Sequence, residues 1–202
     1  MIGSIILIVL GAMALIGIGN RILQDFDVPV IALVLVFAAV VGLNFLPTVA
    51  IGDFSFSFGT ALLFLTTLAL WVFRGTLKNR LLCLLITVAL SGILYGATRI
   101  AATFGNGLWS SVNYYYALMI GLLAFLLTRN GKYGFIAATL SIMTATLLTQ
   151  IGGEVSLDAA YSTAVVAAGT SLVLYGLVGR LLPSRPNKMS YYYEMGRLKD
   201  ED

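Results

Sequence analysis

Long apolar stretches alternate with short polar ones along almost the whole chain. The apolar runs are roughly Ile2–Gly19, Val30–Leu46, Gly59–Phe73, Leu81–Thr98, a fifth ending at Leu127, Gly134–Ile151 and Ala159–Leu182. A helix needs about 20 apolar residues to cross a hydrocarbon core of about 30 Å. The pattern therefore predicts an all-α polytopic membrane protein with seven transmembrane helices. Residues 1–182 form the seven-helix transmembrane domain and 183–202 a polar cytoplasmic tail. Pro29 suits the first turn of the second helix, and Pro183 and Pro186 stop the last one.

Charge gives the pattern a direction. Of 12 Lys and Arg residues, all but Arg99 lie in loops one, three and five, in the tail, or at Arg180 near its start. Loop three is the most basic, with Arg74, Lys78 and Arg80. Cationic loops stay cytoplasmic during insertion, so the N-terminus is expected outside and the C-terminus in the cytoplasm of a cell-membrane protein. The first run lacks a basic leader and a small-residue cleavage site, which argues against a removed signal peptide.

Composition narrows the chemistry. The chain is 59% hydrophobic and 10% charged, with mean hydropathy +0.97, against about 25% charged residues in ordinary soluble domains. The lipid bilayer is thus the first partner. The net charge of +3 is divided among short loops, so nucleic acid is not expected as a partner. There is no His, and Cys83 stands alone in an apolar run. Ordinary zinc or haem sites, a Ser or Cys triad and a disulfide framework are therefore not expected. No phosphate-binding loop is present, and no cofactor or enzymatic activity is predicted.

Four short motifs add a resemblance. Gly19-Asn20-Arg21-Ile22-Leu23 follows span one, and Ile51-Gly52-Asp53 precedes span three. Ala124-Phe125-Leu126 with Arg129, Lys132 and Phe135 joins spans five and six, and Gly152-Gly153 with Asp158 opens span seven. In this order they resemble a family of prokaryotic multi-pass membrane proteins catalogued as a domain of unknown function. The resemblance implies a topology and no activity.

Several residues are candidates for function. The middle of every span lacks Asp, Glu, Lys and Arg, which argues against a proton-relay pump, because such pumps need ionisable groups at depth. Arg99 ends span four on the face that also carries Asp53, Glu154 and Asp158. These four form an ion-pair cluster or a cation site, or else Arg99 snorkels and the acids are simply solvated. Thr139, Thr146 and Gln150 recur at helical spacing on span six, the most polar span. They line a solute path or pack between helices, and Gln150 is the first to test because its amide needs several partners.

Small residues point to helix contacts. Gly92 and Gly96 form a G-x-x-x-G in span four, and Ala160, Ala164 and Ala168 a stripe in span seven. Packing inside the chain is the favoured role, and contact with a second protomer the alternative. Spans one to three and five to seven share one orientation, a 3+1+3 parallel repeat. Gly11, Ala14 and Asn20 align with Gly121, Ala124 and Asn130, and Ile51-Gly52 with Ile151-Gly152. The two offsets differ, 110 and 100 positions, so chance likeness between apolar helices is the favoured reading and the repeat the alternative. Loop two alternates Phe54, Phe56 and Phe58 with Ser55 and Ser57 in strand-like fashion, but an irregular interfacial segment is the expectation for so short a connection. Two functions compete. The first is a membrane-embedded assembly or scaffold component, with a homo-oligomer or a membrane protein as partner. The second is a small-solute permease or channel.

Overall fold

A computed structural model describes residues 2–16, 26, 28–52, 54–73, 76–104, 114–151 and 155–178. Within them the chain is mostly helical, as the apolar runs predict. The helices are α1 (Ile2–Leu15), α2 (Val30–Leu43), α3 (Phe58–Phe73), α4 (Leu77–Phe104), α5 (Tyr114–Thr128), α6 (Gly131–Thr149) and α7 (Asp158–Val178). Three are long and apolar enough to cross a membrane, over Leu77–Ala101, Gly131–Thr149 and Asp158–Val178. The other four are apolar helices of 14 to 16 residues.

The expectation of an all-α chain needs one correction. Strands β1 (Val49–Ile51), β2 (Phe54–Phe56) and β3 (Val155–Ser156) form one sheet in the order β1-β2-β3. β1 and β2 make an antiparallel hairpin with Val49 opposite Phe56 and Ile51 opposite Phe54. Gly52 turns the hairpin with φ +61, a conformation that glycine adopts without steric penalty. β2 then pairs with β3 in parallel, Phe54 opposite Val155 and Ser55 opposite Ser156. The Phe/Ser alternation of loop two is therefore a strand after all, and its second partner comes from loop six.

Element ends also move, because an apolar run marks only the middle of a helix. Lys78, Arg80 and Arg99, expected in or at the edge of loops, lie within the 28-residue α4. Tyr114, Tyr115 and Tyr116 open α5, whose start the apolar pattern leaves undefined. Asn130 accepts a bond from the Tyr133 amide at 3.1 Å, an N-cap that starts α6 at Gly131. Lys132, expected in an exposed cytoplasmic turn, is consequently in the first turn of a central helix. It is 2% exposed, and its ammonium lies 5.6 Å from the Tyr133 ring centroid.

α6 is the centre of the bundle. Every residue from Gly134 to Met143 is buried, and the helix packs against α3, α4, α5 and α7. α1 packs on α2 and α7, and α4 lies outside against α5 and α6. The buried Phe26 ring meets Phe135 edge-on at 5.6 Å, so the connection before α2 also contributes to this core. Ala160, Ala164 and Ala168 are all buried on α7. Gly92 and Gly96 are different: a Cβ at either would meet nothing within 4 Å. The contact inside the chain expected for this pair is not made. The tight backbone approaches fall instead at Gly59, against Val40 and Asn44, and at Gly121, against Ala167 and Thr170.

Candidate functional site

Asp158 is the residue around which polar groups gather. Ser57 follows β2 and caps α3: its Oγ accepts from the Thr60 amide at 3.3 Å, three residues on, as N-cap serines do. The parallel β2–β3 pair brings the start of α7 beside the start of α3. Leu157 donates its amide to the Ser55 carbonyl at 3.0 Å, which fixes the next residue, Asp158, against the cap. Asp158 Oδ1 then accepts from the Ser57 amide at 2.8 Å and from Thr60 Oγ1 at 2.8 Å. One carboxylate thus stands at the N-termini of two helices, whose dipoles both favour negative charge there.

The cluster extends to α2. Ser57 Oγ lies 2.7 Å from Asn44 Oδ1, as donor, and 2.8 Å from Thr60 Oγ1. Two hydroxyls carry only two protons for three such contacts. The count closes with the Asn44 amide nitrogen, rather than its oxygen, facing Ser57 Oγ and donating to it. A chain of donors then runs from Asn44 through Ser57 and Thr60 to the Asp158 carboxylate. Ser57 and Thr60 are buried and Asp158 is half-buried, so these bonds are well shielded and their loss would leave orphaned groups.

Arg99, expected to share a face with Asp158, does not join this cluster. Arg99 is exposed, and its guanidinium sits 5.3 Å from the Tyr95 ring centroid. No ion pair among the described residues links it to Asp158. Asp53 and Glu154 lie outside the described residues, as does the tail from 179 onward. Of the two described members of the expected cluster, Asp158 is engaged by a hydroxyl and a backbone amide rather than by Arg99. Asn44 and Thr60 are not among the residues the sequence points to, and Ser57 is there only as part of the Phe/Ser alternation. Ser57 followed by Thr60 ahead of an apolar run was the available signal, being an ordinary helix-start pattern.

The span-six stripe turns inward on itself. Thr139 donates to the Phe135 carbonyl at 2.9 Å, Thr146 to Ile142 at 2.9 Å and Ser141 to Ala138 at 3.1 Å. Such back-bonding satisfies a hydroxyl within its own helix. Gln150 caps the end of α6, and its Oε1 accepts from the Ser156 amide at 2.7 Å. It ties α6 to β3 rather than facing a path. Among the described residues, no group of three or more His, Cys, Asp or Glu could hold a metal ion. No family model, curated protein or solved structure matches this chain.

Proposed function

We propose that this is an integral protein of the cytoplasmic membrane with seven crossing helices, N-terminus outside, that works as an assembly or scaffold component. The parallel β2–β3 pair supports the topology, because it draws loops two and six to one end of the bundle. Loops two and six, both without a cation, then share one end, as the alternation of charge requires. A cysteine placed at the exposed Asn79 is expected to react with an impermeant maleimide only from the cytoplasmic side of membrane vesicles. Labelling from outside would reverse the orientation.

The observation that carries the assembly reading is the outward face of α4. Only 28% of its apolar window is buried, against 72% for α6, and Gly92 and Gly96 sit on it with open space above them. A small-x-x-x-small face allows a second helix to approach closely in lipid. In a Cys83→Ala background, oxidation of Gly96→Cys is expected to trap a covalent dimer in native membranes, and adding Gly92→Leu to abolish it. A chain that stays monomeric, and brings down no stoichiometric partner after gentle solubilisation, would sink this function. A permease or channel finds less support, since the Thr139, Ser141 and Thr146 hydroxyls already donate within their own helix.

The sheet also favours the 3+1+3 repeat with α4 between the halves. Phe54 and Val155 are paired 101 positions apart, close to the spacing of the two Ile-Gly pairs. The match of Gly11 with Gly121 gives no such support, because a Cβ at Gly11 meets nothing within 4 Å while Gly121 is pressed against α7.

A further inference from the structure

The register of the small sheet divides its side chains by chemistry. Strand residues alternate between faces, and paired residues share one. Val49, Ile51, Phe54 and Phe56 therefore lie on one face, and Ala50, Ser55 and Ser156 on the other. The Phe54 and Phe56 rings, 6.0 Å apart, agree with this. Among the described residues none of the four belongs to the buried core; Ile51 is 66% exposed, and Val49, Phe54 and Phe56 are half-buried.

The helices that flank the hairpin are short. At about 1.5 Å per residue, the 14 residues of α2 span about 21 Å and the 16 of α3 about 24 Å, below the roughly 30 Å of a hydrocarbon core. Past the end of α2 the apolar surface continues through Phe45, 74% exposed, and Leu46; Phe58 continues it at the start of α3. Between Leu46 and Phe73 the chain carries no cation and one acid, Asp53, so nothing there selects a charged partner. β2 is hydrogen-bonded on both sides, and the two edge strands have only three and two residues. Few backbone groups remain unpaired, and at interfacial depth headgroups and water can meet them.

We propose that this sheet is a membrane anchor: its apolar face (Val49, Ile51, Phe54 and Phe56) lies against the acyl chains at the boundary of one leaflet and completes the thickness that α2 and α3 fall short of. The partner is lipid, and the surface is continuous with the lipid-facing sides of those helices. That the chain is a membrane protein is taken from the function proposed above, and which leaflet is meant from its orientation; the contact itself does not depend on assembly.

Spin labels at Ile51, Phe54 and Ser55, each in the full chain with Cys83→Ala and reconstituted in phosphatidylcholine vesicles, test it. The ratio of oxygen to nickel-chelate accessibility at Ile51 and Phe54 is expected to exceed that at Ser55 several-fold. A nickel accessibility at Ile51 equal to that of a label at the exposed Asn79 would place the face in water and overturn the proposal. Shielding from both reagents would show a protein cover, a second copy or another chain, and would overturn it equally. The unsubstituted chain gives an independent measurement with phosphatidylcholine carrying a photoactivatable acyl chain. Adducts are expected on peptides covering residues 45–58, and their confinement to the central parts of the helices would count against the anchor.

Discussion

Gly121→Leu is expected to lower the thermal unfolding midpoint of the detergent-purified protein by about 5–10 °C, whereas Gly92→Leu leaves it within about 2 °C. A Cβ at Gly121 would fall 2.8 Å from Thr170 Cβ and closer still to the Ala167 carbonyl oxygen. Backbone cannot yield as a flexible side chain does, so α5 and α7 must separate. Overpacking of this kind costs about 1–3 kcal/mol for added methylenes and more when whole helices move. For a chain of this size each kcal/mol corresponds to about 2–4 °C. At Gly92 the space is open, and leaving glycine gains up to about 0.8 kcal/mol of helix propensity. Equal shifts for the two variants would mean that α5 does not approach α7 as described. The comparison also separates two kinds of glycine: the Gly92 variant should stay folded and lose association only.

Those two glycines show what the sequence could and could not reveal. Both sit in apolar runs beside other small residues, and nothing local distinguishes them. The distinction comes from which helix lies opposite, and that is a property of the bundle. Helix order was legible because seven apolar runs separated by polar breaks leave little choice. Helix ends were not, since long cationic side chains such as Lys78, Arg80 and Arg99 can extend away from apolar surface while their backbone stays helical. Lys132 went the other way: the Asn130 cap, readable in principle, places it inside the first turn of a central helix. Loop two carried its strand signal openly in Phe54, Ser55, Phe56 and Ser57. Its partner β3 is two residues long and lies about a hundred positions later. No local pattern announces so distant a pairing.

Asp158 depends wholly on that pairing, and its removal is the second large effect. Asp158→Ala is expected to destabilise the protein by about 2–4 kcal/mol, read as a fall of roughly 5–12 °C in the midpoint. Hydrogen bonds to a charged group are worth about 1.5–3 kcal/mol each, and two converge on Oδ1. Half-burial of Asp158 discounts them, while the N-termini of α3 and α7 add about 0.3–1 kcal/mol apiece. Asp158→Asn keeps an acceptor oxygen and loses the charge, so it should fall between the wild type and the alanine variant. A double-mutant cycle with Thr60→Val decides whether the geometry is real. Thr60 is joined to Asp158 directly, so the two losses should be less than additive by about 0.5–3 kcal/mol. Asn44→Ala reaches Asp158 only through Ser57 and Thr60, and should show a smaller coupling. Strict additivity in the first cycle would mean that α3 and α7 are not clasped at this carboxylate. Without the clasp the sheet would also lose its footing, because β2 leads directly into Ser57 and β3 ends two residues before Asp158.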